Sequence, residues 1–130
     1  MSGNIAVDTN AVIAYREGIS KVQTILEEST LIILPAPVYG ELLFGAFNSD
    51  RRTANVEAVE SFRKLTTFVP ITVETVVRYA EIRAELRQLG TPIPENDIWI
   101  AATCRQLDTP LATNDDHFQR IPGLRVIGWQ

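Results

Sequence analysis

Apolar positions along the chain change their spacing repeatedly, and each change predicts an element. Ile5-Ala-Val7 is a short unbroken apolar run that ends in Asp8, which reads as a buried strand. Thr9-Asn10 supplies turn or cap chemistry, and Ala11 to Glu17 can follow as a helix that Gly18 stops. Ser20 to Glu28 carries Val22, Ile25 and Leu26 at helical spacing. Leu31 to Leu34 is a second buried strand, ended by Pro35, and Pro37 suits the first turn of a helix running to about Phe47. The polar stretch Asn48 to Arg52 breaks the pattern. Val56, Val59, Phe62 and Leu65 then recur at three-residue steps, an amphipathic helix over Thr53 to Leu65. Phe68 to Thr72 reads as a third strand, at a sheet edge because Pro70 lies inside it. Val73 to Leu89 is helical with Gly90 as its stop, and Ile98 to Leu107 is a helix apolar on nearly every side. Leu111 to Thr113 and Arg125 to Ile127 are the last strands.

Strands that alternate with helices predict an α/β fold, a parallel sheet covered on both faces. Ligands of such sheets bind at the carboxyl ends of the strands. Asp8 and Asp115 stand at two such ends. Glu41 follows the second strand by less than two helical turns, and Asp97 opens a helix. All four acids can therefore reach one edge of one sheet.

Composition alters this picture only at a few points. At 130 residues the chain has the length of one ordinary domain, and we take 1–130 as one unit. No apolar run is long enough to span a bilayer, and Met-Ser-Gly-Asn is not the start of a secretory signal. A single cysteine forms no internal disulfide, so a reducing cytoplasm is the expected location. The net charge of −4 argues against a nucleic-acid partner. Setting aside Asp8, Glu41, Asp97 and Asp115 leaves 12 acids against 12 bases, however, so a basic face remains available. Arg51, Arg52, Arg63, Lys64, Arg83, Arg87 and Arg120 are its candidates.

Each acid also has a bland role. Asp8 can cap a helix, Asp97 can offset a helix dipole, Asp115 can sit in a turn and Glu41 can be a solvated helical residue. Together these roles fit less well. Glu41 lies among Val38, Tyr39, Leu42, Leu43 and Phe44, which do not read as an open face. Asp97 enters the apolar run Ile98 to Ala102. No Lys or Arg lies within four residues of Asp8, Glu41 or Asp97. Buried acids need a partner, and a hard divalent cation is one. An oxygen-rich set with little His and no clustered Cys suits Mg²⁺ or Mn²⁺. Such an ion activates water and neutralises a phosphate, chemistry that needs no protein nucleophile. With His117 as the one histidine, a nuclease built on two histidines is excluded.

Four segments follow one another along the chain: Ala6-Val-Asp-Thr-Asn10, Glu41-Leu-Leu-Phe-Gly-Ala46, Pro94-Glu-Asn-Asp-Ile-Trp-Ile-Ala-Ala102, and Leu111-Ala-Thr-Asn-Asp115 with Phe118 and Ile121-Pro-Gly-Leu124. Together they resemble the PIN-domain nucleases, and among them the VapC-type toxins of bacterial toxin–antitoxin pairs. The resemblance implies a three-layer fold around a parallel sheet, usually of five strands. It implies Mg²⁺- or Mn²⁺-dependent cleavage of RNA, an antitoxin partner and a homodimer. It maps an acidic quartet onto Asp8, Glu41, Asp97 and Asp115, with Thr9, Asn10, Thr113 and Asn114 in support. The segment Glu41 to Arg52 resembles the subgroup that cuts initiator tRNA in the anticodon loop, with Arg51 and Arg52 as RNA contacts. The chain departs from the family at His117, where relatives often carry an acid, which leaves open the parts of Asp116 and His117. Strand alternation puts Asp115 rather than Asp116 on the side of Thr113. Two rivals are a catalytically silent module on the same fold and a Mg²⁺-binding receiver domain. The receiver would want a lysine near the last strands, and the only lysines are Lys21 and Lys64.

Overall fold

In a computed structural model of the chain, which describes residues 3–130, β1 (Ile5–Val7) leads into α1 (Thr9–Arg16) through Asp8 alone. Asp8 has extended backbone, and its carboxylate accepts the amide of Ala11, so one residue ends the strand and caps the helix. There follow α2 (Ser20–Glu27), β2 (Ile32–Pro35), α3 (Ala36–Phe47), α4 (Arg52–Leu65) and β3 (Thr67–Val69). The second half comprises α5 (Val73–Leu89), α6 (Glu95–Leu107), β4 (Leu111–Ala112), a 3₁₀ turn (Asp116–Arg120) and β5 (Val126–Ile127).

The strands form one parallel sheet in the order β3-β2-β1-β4-β5. β1 is central, and all three of its residues are buried. Ala6 stands opposite both Ile33 and Leu111, which fixes the register of three strands at once. From β1 the chain moves outward through β2 and β3, then returns to the other side of β1 as β4. Right-handed crossovers place helices on the two faces for these two directions of travel. The order of travel reverses between β1 and β4, the place where ligands enter such sheets.

Most expected boundaries moved by one to three residues, among them those of the third and fourth strands. The third strand is Thr67–Val69, so Pro70 lies just beyond it rather than inside. Its partner β2 turns into α3 at Pro35, the residue paired with Val69, and Pro70 has no N–H to extend the ladder. The edge position that Pro70 suggested does hold. β4 ends at Ala112, although the Thr113 amide still donates to the Ile127 carbonyl. The 3₁₀ turn had no counterpart in the apolar pattern.

Among the described residues, no helix is long and apolar enough to cross a membrane. Gly90 ends α5 in the left-handed region, φ 67°, as its position past the last apolar residue predicts.

Candidate active site

Asp8 is only 4% exposed, and both of its carboxylate oxygens are occupied. Oδ1 accepts the Ala11 amide at 2.8 Å, and Oδ2 accepts the Thr113 hydroxyl. The Thr113 oxygen in turn accepts the Asp115 amide at 2.9 Å. Thr113 thus ties the carboxyl end of β1 to the segment after β4.

Asp97 lies in the first turn of α6, a helix that buries Ile98, Ile100, Ala101, Ala102, Thr103 and Cys104. The apolar run therefore seats the acid at the end of a buried helix, as expected. Asp115 precedes the 3₁₀ turn, and its Oδ1 accepts the His117 amide at 3.0 Å. Phe118, 1% exposed, pins that turn to the core. Glu41 is held from outside, with its Oε1 accepting the Thr9 hydroxyl at 2.9 Å.

Asp8, Thr9, Asn10, Glu41, Asp97, Ile100 and Asp115 line one cleft of about 170 Å³. All four acids singled out from the sequence meet there. One expectation about Glu41 fails. Its helix presents an open face, with Gly40, Glu41, Phe44, Gly45 and Phe47 exposed, because α3 buries only Val38, Leu42 and Ala46 and turns Tyr39 and Leu43 partly toward the core.

The supporting residues divide. Thr9, Asn10 and Thr113 belong to the cleft or hold its acids. Asn114 faces the other way, its Oδ1 accepting the Trp129 amide at 2.9 Å and so fastening the chain after β5. Asp116 is exposed and lies outside the cleft lining. Arg51 and Arg52 are exposed at the turn into α4, with Arg52 over the Phe47 ring at 4.6 Å, and neither lines the cleft. Of the other basic candidates, Arg63 pairs with Glu60 and Arg83 with Glu95.

His117 joins the cluster, although its part was left open by the sequence. Its Nδ1 stands 3.0 Å from Asp97 Oδ2 and 3.1 Å from Asp115 Oδ1. The signal in the sequence was spacing alone, a histidine two residues after a strand-end acid.

The electrostatics show what the cleft lacks. Burial pushes the Asp8 carboxyl above its ordinary range, against hydrogen bonds from Thr113 and Ala11, and Asp115 and Asp97 push it further. Burial likewise raises Asp97, the His117 hydrogen bond offsets it, and Asp115 and Glu41 add to the rise. Among the described residues, no Lys or Arg lines the cleft. The donor set fits a divalent cation, which would supply the missing positive charge. Cys104 does not compete as a nucleophile, since burial pushes its thiol up to about 12.

The PIN domain profile matches residues 5–124, nearly the whole chain and all four acids. The chain belongs to the PIN-domain family. Among its relatives, the tRNA(fMet)-specific endonuclease VapC of Salmonella typhimurium is 32% identical over 90 residues, 68% of each chain. Ribonuclease VapC2 of Haemophilus influenzae is 29% identical over 126 residues, 95% of this PIN domain and 96% of the relative. The DNA-bound VapBC structure from Salmonella typhimurium superposes with a TM-score of 0.90 at 25% identity, covering 98% of both chains. This PIN domain therefore has the five-stranded parallel architecture that the resemblance implies.

Proposed function

We propose that this PIN-domain chain is an endoribonuclease, the toxin of a toxin–antitoxin pair, which hydrolyses RNA phosphodiesters in the presence of Mg²⁺ or Mn²⁺. The observation that carries this reading is the meeting of Asp8, Glu41, Asp97 and Asp115 in one cleft with no cationic side chain lining it. The names of the relatives supply the RNA substrate, and two of them, from Salmonella typhimurium and Shigella flexneri, are called tRNA(fMet)-specific. An RNA hairpin of the anticodon type is the first substrate to test.

A divalent ion lowers the pKa of a bound water and takes up charge on the scissile phosphate. The chain's own part is to hold that ion and orient its ligands. Asp8, Glu41, Asp97 and Asp115 would hold it, Glu41 from the open side of the cleft. Thr113 fixes Asp8, and Thr9 fixes Glu41. Two of these acids have raised pKa values, so the cleft resists holding all its charge and would gain from a cation.

A silent interaction module would gain nothing from four converging acids. The receiver reading loses its lysine as well, since Lys21 and Lys64 are exposed on α2 and α4 and neither lines the cleft.

An antitoxin is part of the proposal. Thr9, Ile13, Arg16, Glu41, Leu42, Gly45, Ala46, Asn55 and Val59 line a groove of about 210 Å³ between α1, α3 and α4. Its apolar floor and charged rim fit an amphipathic peptide. Homodimerisation belongs to the same reading, and light scattering of the purified protein should return the mass of two chains.

The test is RNA cleavage with and without EDTA. Cleavage should need the metal and leave 5′-phosphate and 3′-hydroxyl ends, because water rather than the 2′-hydroxyl attacks. Asp97→Asn should remove nearly all activity with an unchanged circular dichroism spectrum. Cleavage in EDTA, or 2′,3′-cyclic phosphate ends, would contradict the reading.

A further inference from the structure

His117 is the one histidine of the chain, and its ring reaches the cleft just described. Nδ1 stands 3.0 Å from Asp97 Oδ2 and 3.1 Å from Asp115 Oδ1. Ligand atoms of all three residues lie within 4.8 Å of one another. Two neighbouring ligands on an octahedral ion with bonds of about 2.1 Å stand about 3.0 Å apart. The imidazole is therefore one octahedral edge from each of two carboxylates. The backbone holds it there, because the His117 amide donates to Asp115 and the next residue, Phe118, is anchored in the core.

We propose that His117 is a metal ligand through Nδ1, which makes the divalent site a mixed nitrogen–oxygen set and biases it toward Mn²⁺ over Mg²⁺. The proposal rests on the metal-dependent reading above. Mg²⁺ keeps oxygen and water ligands and gives up hydration reluctantly. Imidazole favours transition ions, and Mn²⁺ is the transition ion that the carboxylate and water oxygens of this cleft also suit. With its proton on Nε2, the neutral ring offers a lone pair on Nδ1 toward the gap between the carboxylates. The competing role is a hydrogen bond from Nδ1–H to one of these acids, with the ion seeing oxygen only.

Because the chain has a single imidazole, pulsed electron paramagnetic resonance of Mn²⁺ bound to the untagged, full-length protein separates the two. The wild type should show imidazole nitrogen coupling, and His117→Gln should lose it. The ratio of Mg²⁺ to Mn²⁺ dissociation constants should fall in that variant by about tenfold or more. Asp97→Asn serves as the control for the cleft and should abolish Mn²⁺ binding. Binding that depends on Asp97 but shows no imidazole coupling, or an unchanged metal ratio in His117→Gln, overturns this inference and leaves the nuclease reading standing. A wild type that binds neither ion, or binds them regardless of Asp97, overturns both.

Discussion

At the residue scale, Asp8 carries three duties. It ends β1, caps α1 and faces the cleft. Its raised pKa makes it costly to the metal-free protein once ionised. The stability linked to it is full below its ordinary value of 3.8 and is lost as pH rises through the higher folded value. Asp8→Asn keeps the cap and removes the charge. Thermal unfolding in EDTA should give the variant a higher Tm than wild type at pH 7, by a few degrees, and an equal one near pH 3. A lower Tm at pH 7 would count against the electrostatic account. Mn²⁺ should raise the Tm of the wild type and leave the variant nearly unmoved. The neighbouring pair Asp115 and Asp116 offers a sharper comparison. Asp115 lines the cleft and Asp116 is exposed outside it. In single-turnover cleavage, Asp115→Ala should cost at least about 100-fold, the upper end of what even outer-shell partners cost, and should need more metal. Asp116→Ala should stay close to the wild-type rate. The reverse order would move the fourth carboxylate to Asp116.

At the element scale, the 3₁₀ turn matters more than its five residues suggest. It carries His117 and follows directly from Asp115, and Phe118 is its anchor in the core. Phe118→Ala should cost about 3–5 kcal/mol in denaturant unfolding, the usual range for a buried Phe. Residual folded protein should also bind metal more weakly, because the turn that places Asp115 and His117 has lost its seat. Intact metal affinity in the folded fraction would show that the turn does not set the ligands. This turn was also the least legible element in the sequence. Five residues with one apolar anchor carry neither a run nor a period to read, whereas Ile5–Val7 and Ile98–Ala102 are unbroken apolar runs. The four acids were legible for a related reason. Asp8 and Asp115 come after apolar strand runs, Asp97 opens an apolar helix and Glu41 interrupts one, and these strand-to-helix passages gather at the carboxyl edge of a parallel sheet. Asn114 faces away from Thr113 and Asp115, as strand alternation has it, and so departs from the supporting role that the resemblance implied. The open face of α3 was not legible. Phe44 and Phe47 are apolar yet exposed, so hydrophobicity alone overstated how much of that helix is covered.

At the scale of the whole molecule, the groove between α1, α3 and α4 and the acidic cleft are neighbours. Gly45 lines the groove, and a Cβ built on it meets nothing within 4 Å. Gly45→Phe should therefore fold, keep RNA cleavage within a few-fold of wild type, and escape inhibition when the cognate partner is added. Retained inhibition at equal partner concentration would place the partner elsewhere. The two recesses also share a wall. Thr9 and Glu41, joined by their hydrogen bond, line both. An occupant of the groove that pulls Glu41 or Thr9 toward itself changes what the ion experiences on the other side. Linkage then makes the effect mutual: whatever factor the partner takes from the affinity for metal, the metal takes from the affinity for the partner. On this account the free metal level of the cell acts on how tightly the enzyme is restrained as well as on how fast it cuts. A single threonine–glutamate pair is the hinge of that exchange.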